Sequence, residues 1–210
     1  MNLINILLGI FILISISLPI LIWLFFWIRE NKDNNPEPKN FILKTFIIGN
    51  ITALLSLFIQ GLLLKYGIVY KNDDSGLFLF ALIEEVVKFT LIYFIILNNS
   101  KYIDEREDPM FYMIIGALGF ATVENFLFLF DYFINYDFIK SMIVGSYRFI
   151  GATMVHFISS AFVGFGYSLT FFKKKTYRNI VIIITLVIAS LMHWLFNFLV
   201  TSEKIFYRIW

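Results

Sequence analysis

Apolar runs of about 20 residues recur along this 210-residue chain, and that is the length a helix needs to cross a hydrocarbon core of about 30 Å. The chain is 60% hydrophobic and 15% charged, with a mean hydropathy of +0.81. A soluble domain of this size has no use for so much apolar surface, because its outside must face water. The expectation is an all-α polytopic membrane bundle of about six transmembrane helices, forming one membrane-embedded domain over 1–210. No residues are left over for a soluble domain, so the function must lie in the bilayer or at its surface.

Breakers and charges divide the runs. Helix one extends from Leu3 to about Ile28, with Pro19 a kink. It has no basic residue ahead of it and no small-residue cleavage pattern, and it is too long for a signal-peptide core, so it reads as a retained span. A polar linker from Arg29 to Lys39 leads to helix two, about Asn40 to Tyr66. Helix three covers about Gly76 to Leu97, and helix four starts at Pro109 and continues to about Asp131. Tyr132 to Arg148 carries Asp137 and Lys140 mid-stretch, with Ile134, Phe138 and Met142 at helical spacing, and reads as an interfacial amphipathic helix. Helices five and six follow, about Phe149 to Phe172 and Asn179 to Thr201, separated by the basic loop K-K-K-T-Y-R. The basic residues favour the loops after helices one, three and five as cytoplasmic, which puts both termini on the other side.

A net charge of +2 gives no reason to expect nucleic acid, and the absence of cysteine removes thiolate chemistry and Cys-type zinc sites. The informative residues are polar ones where lipid should forbid them. Helix three carries Glu84, Glu85 and Lys88, and helix four carries Glu124 and Asn125. Helix five carries His156, and helix six carries His193 and Asn197. Three ionised, unpaired carboxylates would cost roughly 8–10 kcal/mol, comparable to a domain's whole stability. They must share protons, pair, or line a wet cavity.

Depth adds a second argument. Counted along helices of alternating direction, Glu84, Glu124, His156 and His193 fall at one level, roughly 10–12 Å below one surface at 1.5 Å per residue. The charge bias makes that surface the extracytoplasmic one. Glu84 and Lys88 stand i, i+4 and are expected to pair, with Glu85 about 100° away in a supporting place. His193 and Asn197 share a face by the same spacing. A carboxylate beside a histidine in a dry pocket can activate water, and an imidazole with an amide one turn away can donate to an oxyanion. The inventory suits amide hydrolysis with water as nucleophile. No Gly-x-Ser-x-Gly setting is present.

The order E-E-x-x-K (Glu84, Glu85, Lys88), F-x-x-x-E-N (Phe120, Glu124, Asn125), an isolated His156 and H-x-x-x-N (His193, Asn197) resembles the PrsW family. These are intramembrane proteases of the clan that includes the CAAX prenyl endopeptidases and bacteriocin-immunity homologues. The resemblance covers about Leu77 to Leu199, so 77–199 would hold the catalytic helices. It implies cleavage of a membrane-anchored substrate, a site-one cut of an anti-sigma factor, at the extracytoplasmic side of a bacterial or archaeal plasma membrane. Carried over, Glu84 is the base and His193 with Asn197 the oxyanion donors, with Glu85, Glu124 and His156 in the catalytic set and Lys88 and Asn125 supporting. The prenyl endopeptidases have F-x-x-x-H where this chain has F-x-x-x-E. Three roles therefore stay open for Glu124: positioning water, sharing a proton with Glu84, or ligating a metal. A zinc site from His156, His193 and Glu124 is chemically allowed, but without H-E-x-x-H the expectation favours a metal-free glutamate mechanism with no cofactor. The competing class is a proton-coupled transporter, or a non-catalytic scaffold or immunity protein, using the same buried set.

Overall fold

The computed structural model describes residues 21–29, 37–70, 74–98, 103–135 and 138–202. The described part of the first helix, α1, is 21–29; Pro19 and the N-terminal part of the expected span lie outside the described residues. The other helices are α2 (Lys39–Lys65), α3 (Asp74–Ile92), α4 (Asp108–Asn135), α5 (Phe138–Leu169) and α6 (Lys175–Ser202). A π-helical turn, Tyr93–Leu97, continues α3.

Local chemistry sets the helix ends. Pro38, in extended conformation, precedes α2. The helix stops where Gly67 takes φ 65°. There the Ile68 and Gly67 N–H groups donate to the carbonyls of Leu63 and Leu64 at 3.0 and 3.1 Å, the paired bonds of a glycine-terminated helix. At the start of α4, Asp108 Oδ2 accepts from the backbone N–H groups of Asp104 and Glu105 at 3.0 and 2.7 Å, and Pro109 occupies the first turn without wasting a donor.

On α2, large apolar side chains line the lipid-facing side, and the buried side is rich in small and polar residues. Along α2, Leu43, Ile47, Ile51, Leu54 and Phe58 are exposed, whereas Thr45, Gly49, Thr52, Ser56 and Gln60 are buried. With lipid as solvent, close backbone approach rather than greasy contact holds helices together. A Cβ on Gly49 would stand 2.1 Å from the Gly116 carbonyl oxygen, and one on Gly119 would stand 2.2 Å from that of Phe46. These two contacts run α2 antiparallel to α4. A Cβ on Gly164 of α5 would stand 2.6 Å from Met110 Cα and 2.8 Å from the Pro109 carbonyl oxygen of α4. α4 is the central helix: 61% of its apolar span is buried, against 33% for α2 and for α6. α1 lies against α5, with the Trp23 and Trp27 rings tilted against Phe157 at 5.5 and 5.8 Å between ring centroids.

The all-α membrane architecture is therefore as the composition requires. Among the described residues, four helices are long and apolar enough to cross a bilayer: Lys39–Lys65, Asp108–Phe130, Gly151–Leu169 and Lys175–Val200. α3, with three charges at its centre, is not among them, so the count of six spans is not established. Tyr132–Arg148 differs from its expectation. Its first residues complete α4 to Asn135, and those from Phe138 open α5.

Candidate metal centre

α3, α4, α5 and α6 bring the sequence-selected residues together. Glu85, Lys88, His156 and His193 are at most 2% exposed and Glu84 is 8% exposed. The Glu124 side chain is 25% exposed, which makes it the open side of the cluster.

Glu85 is the hub. Its Oε1 accepts from Lys88 Nζ at 2.7 Å and from Ser159 Oγ at 3.0 Å, and His193 Nδ1 lies 2.9 Å away. The expected Glu84–Lys88 pair does not form. Lys88 turns one residue aside to the i, i+3 partner Glu85, where Ser159 and His193 converge on the same oxygen and the Phe120 ring receives the ammonium at 4.7 Å from its centroid.

The contacts fix the histidine hydrogen-bond roles. An ammonium only donates, so Lys88 Nζ, 3.2 Å from His156 Nδ1, makes that nitrogen an acceptor. The ring proton then sits on Nε2 and donates to Glu124 Oε2 at 2.5 Å. With the ring neutral, His193 Nδ1–H donates to Glu85 and Nε2 keeps its lone pair. That nitrogen faces Glu84 Oε2 at 3.7 Å. The two imidazoles meet edge to face, 4.7 Å between centroids.

Two acceptors thus face each other in a buried place, and Glu84 Oε2 has no hydrogen-bond partner. A buried carboxylate oxygen without a donor is costly, and a cation is what such a pair lacks. Ligand atoms of Glu84, His156 and His193 all lie within 4.8 Å of one another, and two imidazoles plus one carboxylate form the donor set of a catalytic zinc site. The Glu85–His193 contact supplies the carboxylate–histidine support usual behind such a ligand. Both nitrogens of His156 are engaged, so ligation there exchanges one contact for the ion. The residues fit a metal.

Asn125 lies beside the cluster rather than in it, donating from Nδ2 to Thr153 Oγ1 at 2.9 Å. Asn197 is half-buried one turn beyond His193 on α6. Sequence reasoning missed two contributors. They are Ser159 of α5, which donates to Glu85, and Gln60 of α2. Gln60 donates from Nε2 to Glu84 Oε1 at 2.8 Å. Its signal was present in the stripe Thr45, Gly49, Thr52, Ser56, Gln60, recurring every three or four residues on an otherwise apolar helix.

The description "PrsW family intramembrane metalloprotease" matches residues 37–209. "Protease PrsW" of Clostridioides difficile is 30% identical over 190 residues, 89% of this chain and 77% of that protein. "Protease PrsW" of Bacillus subtilis is 26% identical over 193 residues, 88% of this chain and 81% of that protein. The protein of the same name from Oceanobacillus iheyensis is 29% identical, with 83% of this chain and 77% of that protein covered. No solved structure matches significantly. The family's description as metalloproteases, with the Glu84, His156 and His193 cluster, overturns the expectation of a cofactor-free site; the absence of H-E-x-x-H misled because the candidate ligands come from three helices. The chain belongs to the PrsW family of intramembrane metalloproteases.

Proposed function

We propose that this protease cuts a membrane-anchored anti-sigma factor at a metal centre held by Glu84, His156 and His193, with the cavity open to the extracytoplasmic side. The observation that carries the metal centre is the unpartnered Glu84 Oε2 facing His193 Nε2 at 3.7 Å in a buried pocket. The substrate class follows from the family resemblance, and the sidedness from the basic loops and the depth of the four residues.

When bound, zinc supplies Lewis acidity that makes water a nucleophile near neutral pH. The chain's own residues do the rest. With Glu84 and His193 committed as ligands, Glu124 takes the base role. It is the partly exposed carboxylate of the cluster, hydrogen-bonded to His156, and it accepts the proton of the attacking water and returns it to the leaving amine. Asn197, on the His193 face of α6, donates its amide to the developing oxyanion. Lys88 and Ser159 keep Glu85 pinned, and Glu85 keeps His193 turned. The apolar outer surface of the bundle lets a single-span substrate approach through lipid.

The test is co-expression with candidate single-span anti-sigma factors. Wild type should cleave. Glu84→Gln and His193→Ala should not, and Glu124→Gln should lose roughly 10²–10⁴ in rate while retaining metal. A chelator should abolish cleavage and zinc restore it. Cleavage by wild type that survives exhaustive chelation would overturn the metal centre.

A further inference from the structure

The Glu84 carboxylate is a candidate ligand with two inequivalent oxygens. Oε2 faces His193 and has no hydrogen bond. Oε1 is held by an amide from a different helix, Gln60 Nε2 of α2, at 2.8 Å. Gln60 is 8% exposed. The same Nε2 reaches the backbone carbonyl of Phe80, one turn before Glu84 on α3, at 3.5 Å. Both neighbours are acceptors, so only the amide nitrogen can face them, and the orientation of Gln60 is determined by chemistry.

We propose that Gln60 is a positioning residue for the metal centre: by occupying Glu84 Oε1 it fixes the carboxylate rotamer and leaves Oε2 as the single oxygen presented to the ion. This rests on the metal reading given above. α2 then takes a part in the site that the charged residues of α3 to α6 alone do not reveal. An amide suits the task because it donates without bringing charge. A lysine there would compete with the ion for Glu84, and an apolar residue would leave both oxygens free to swing. Hydrogen bonds behind ligands typically change metal affinity 10–100-fold when removed.

A bland reading exists for a buried glutamine between two membrane helices, namely interhelical adhesion. The two readings separate in the purified full-length protein. Zinc affinity is measured by competition with a chelator, and the melting temperature of the zinc-free protein is measured alongside. Gln60→Met keeps the side-chain length and loses the donor. Thr52→Val is the control on the same buried stripe, since Thr52 bonds only the Gly49 carbonyl of its own helix, at 2.6 Å. The expected result is zinc binding weakened about 10–100-fold in Gln60→Met, near wild type in Thr52→Val, with zinc-free melting temperatures alike. Wild-type zinc affinity in Gln60→Met would overturn the role of Gln60 while leaving the metal centre intact. Equal losses in both variants would overturn it in favour of adhesion. Wild-type protein that binds no zinc would overturn the metal reading, and this inference with it.

Discussion

Lys88 shows how a charge survives in the bilayer. Its ammonium contacts Glu85, His156 and the face of Phe120, and it has no exposure. Replacing one member of a buried pair leaves the other uncompensated, which costs about 3–5 kcal/mol. Lys88→Met should therefore destabilise the protein by about that amount, read as denaturant unfolding in detergent, and Lys88→Met with Glu85→Gln should recover most of it. A single variant as stable as wild type would mean the pair is not formed. The residue scale is also where the sequence said most. Eight positions were singled out because each is expensive in lipid, and Glu84, Glu85, Lys88, Glu124, His156 and His193 form one contact network. The wrong partner for Lys88 has a simple origin: i, i+3 and i, i+4 neighbours are equally close on a helix, and the choice was made by Ser159 and His193 from other helices, which local spacing cannot see.

At the scale of elements, glycines set the distances on which the site depends. α2 delivers Gln60 to Glu84 because Gly49 and Gly119 let it approach α4 until backbones touch. Gly49→Val would drive side-chain atoms into the Gly116 carbonyl. The expected outcome is a large loss of folded protein and of zinc binding together, measured by size-exclusion yield and metal content. Leu54→Val, a change on the exposed lipid face of the same helix, should alter neither. Helix existence was legible because length and hydropathy suffice to place apolar runs. Helix ends were less so. α5 begins at Phe138 rather than Phe149, because Asp137 and Lys140 looked like the polar face of a separate helix, and nothing local distinguishes that from the extended end of a span.

For the whole molecule, the end of the linker preceding α2 is tied to the central helix. Tyr112 of α4 donates to Glu37. Burial pushes Glu37 up to about 8, with Asp108 and Asp104 adding repulsion and the tyrosine bond opposing. A carboxyl raised in the folded state favours the protonated form there. The stability that comes from burying the protonated carboxyl is then full below about 4.5, declines as pH rises, and is lost by about 8. The melting temperature of wild type should fall over that window relative to Glu37→Gln, which has no proton to lose; parallel profiles would contradict a Glu37 carboxyl buried in its protonated form. The sequence offers His156 and His193 with Glu124 as a possible ligand set, whereas the candidate cluster has Glu84 in place of Glu124, a difference that appears only when α3, α5 and α6 pack.

Zinc-edge X-ray absorption on the purified, zinc-loaded protein tests the central claim most directly. The account predicts one zinc per chain, two imidazole nitrogens and a carboxylate oxygen at about 2.0–2.2 Å, with imidazole scattering reduced in His193→Ala. A stoichiometric zinc whose shell contains no imidazole, or is unchanged in His193→Ala, would contradict it.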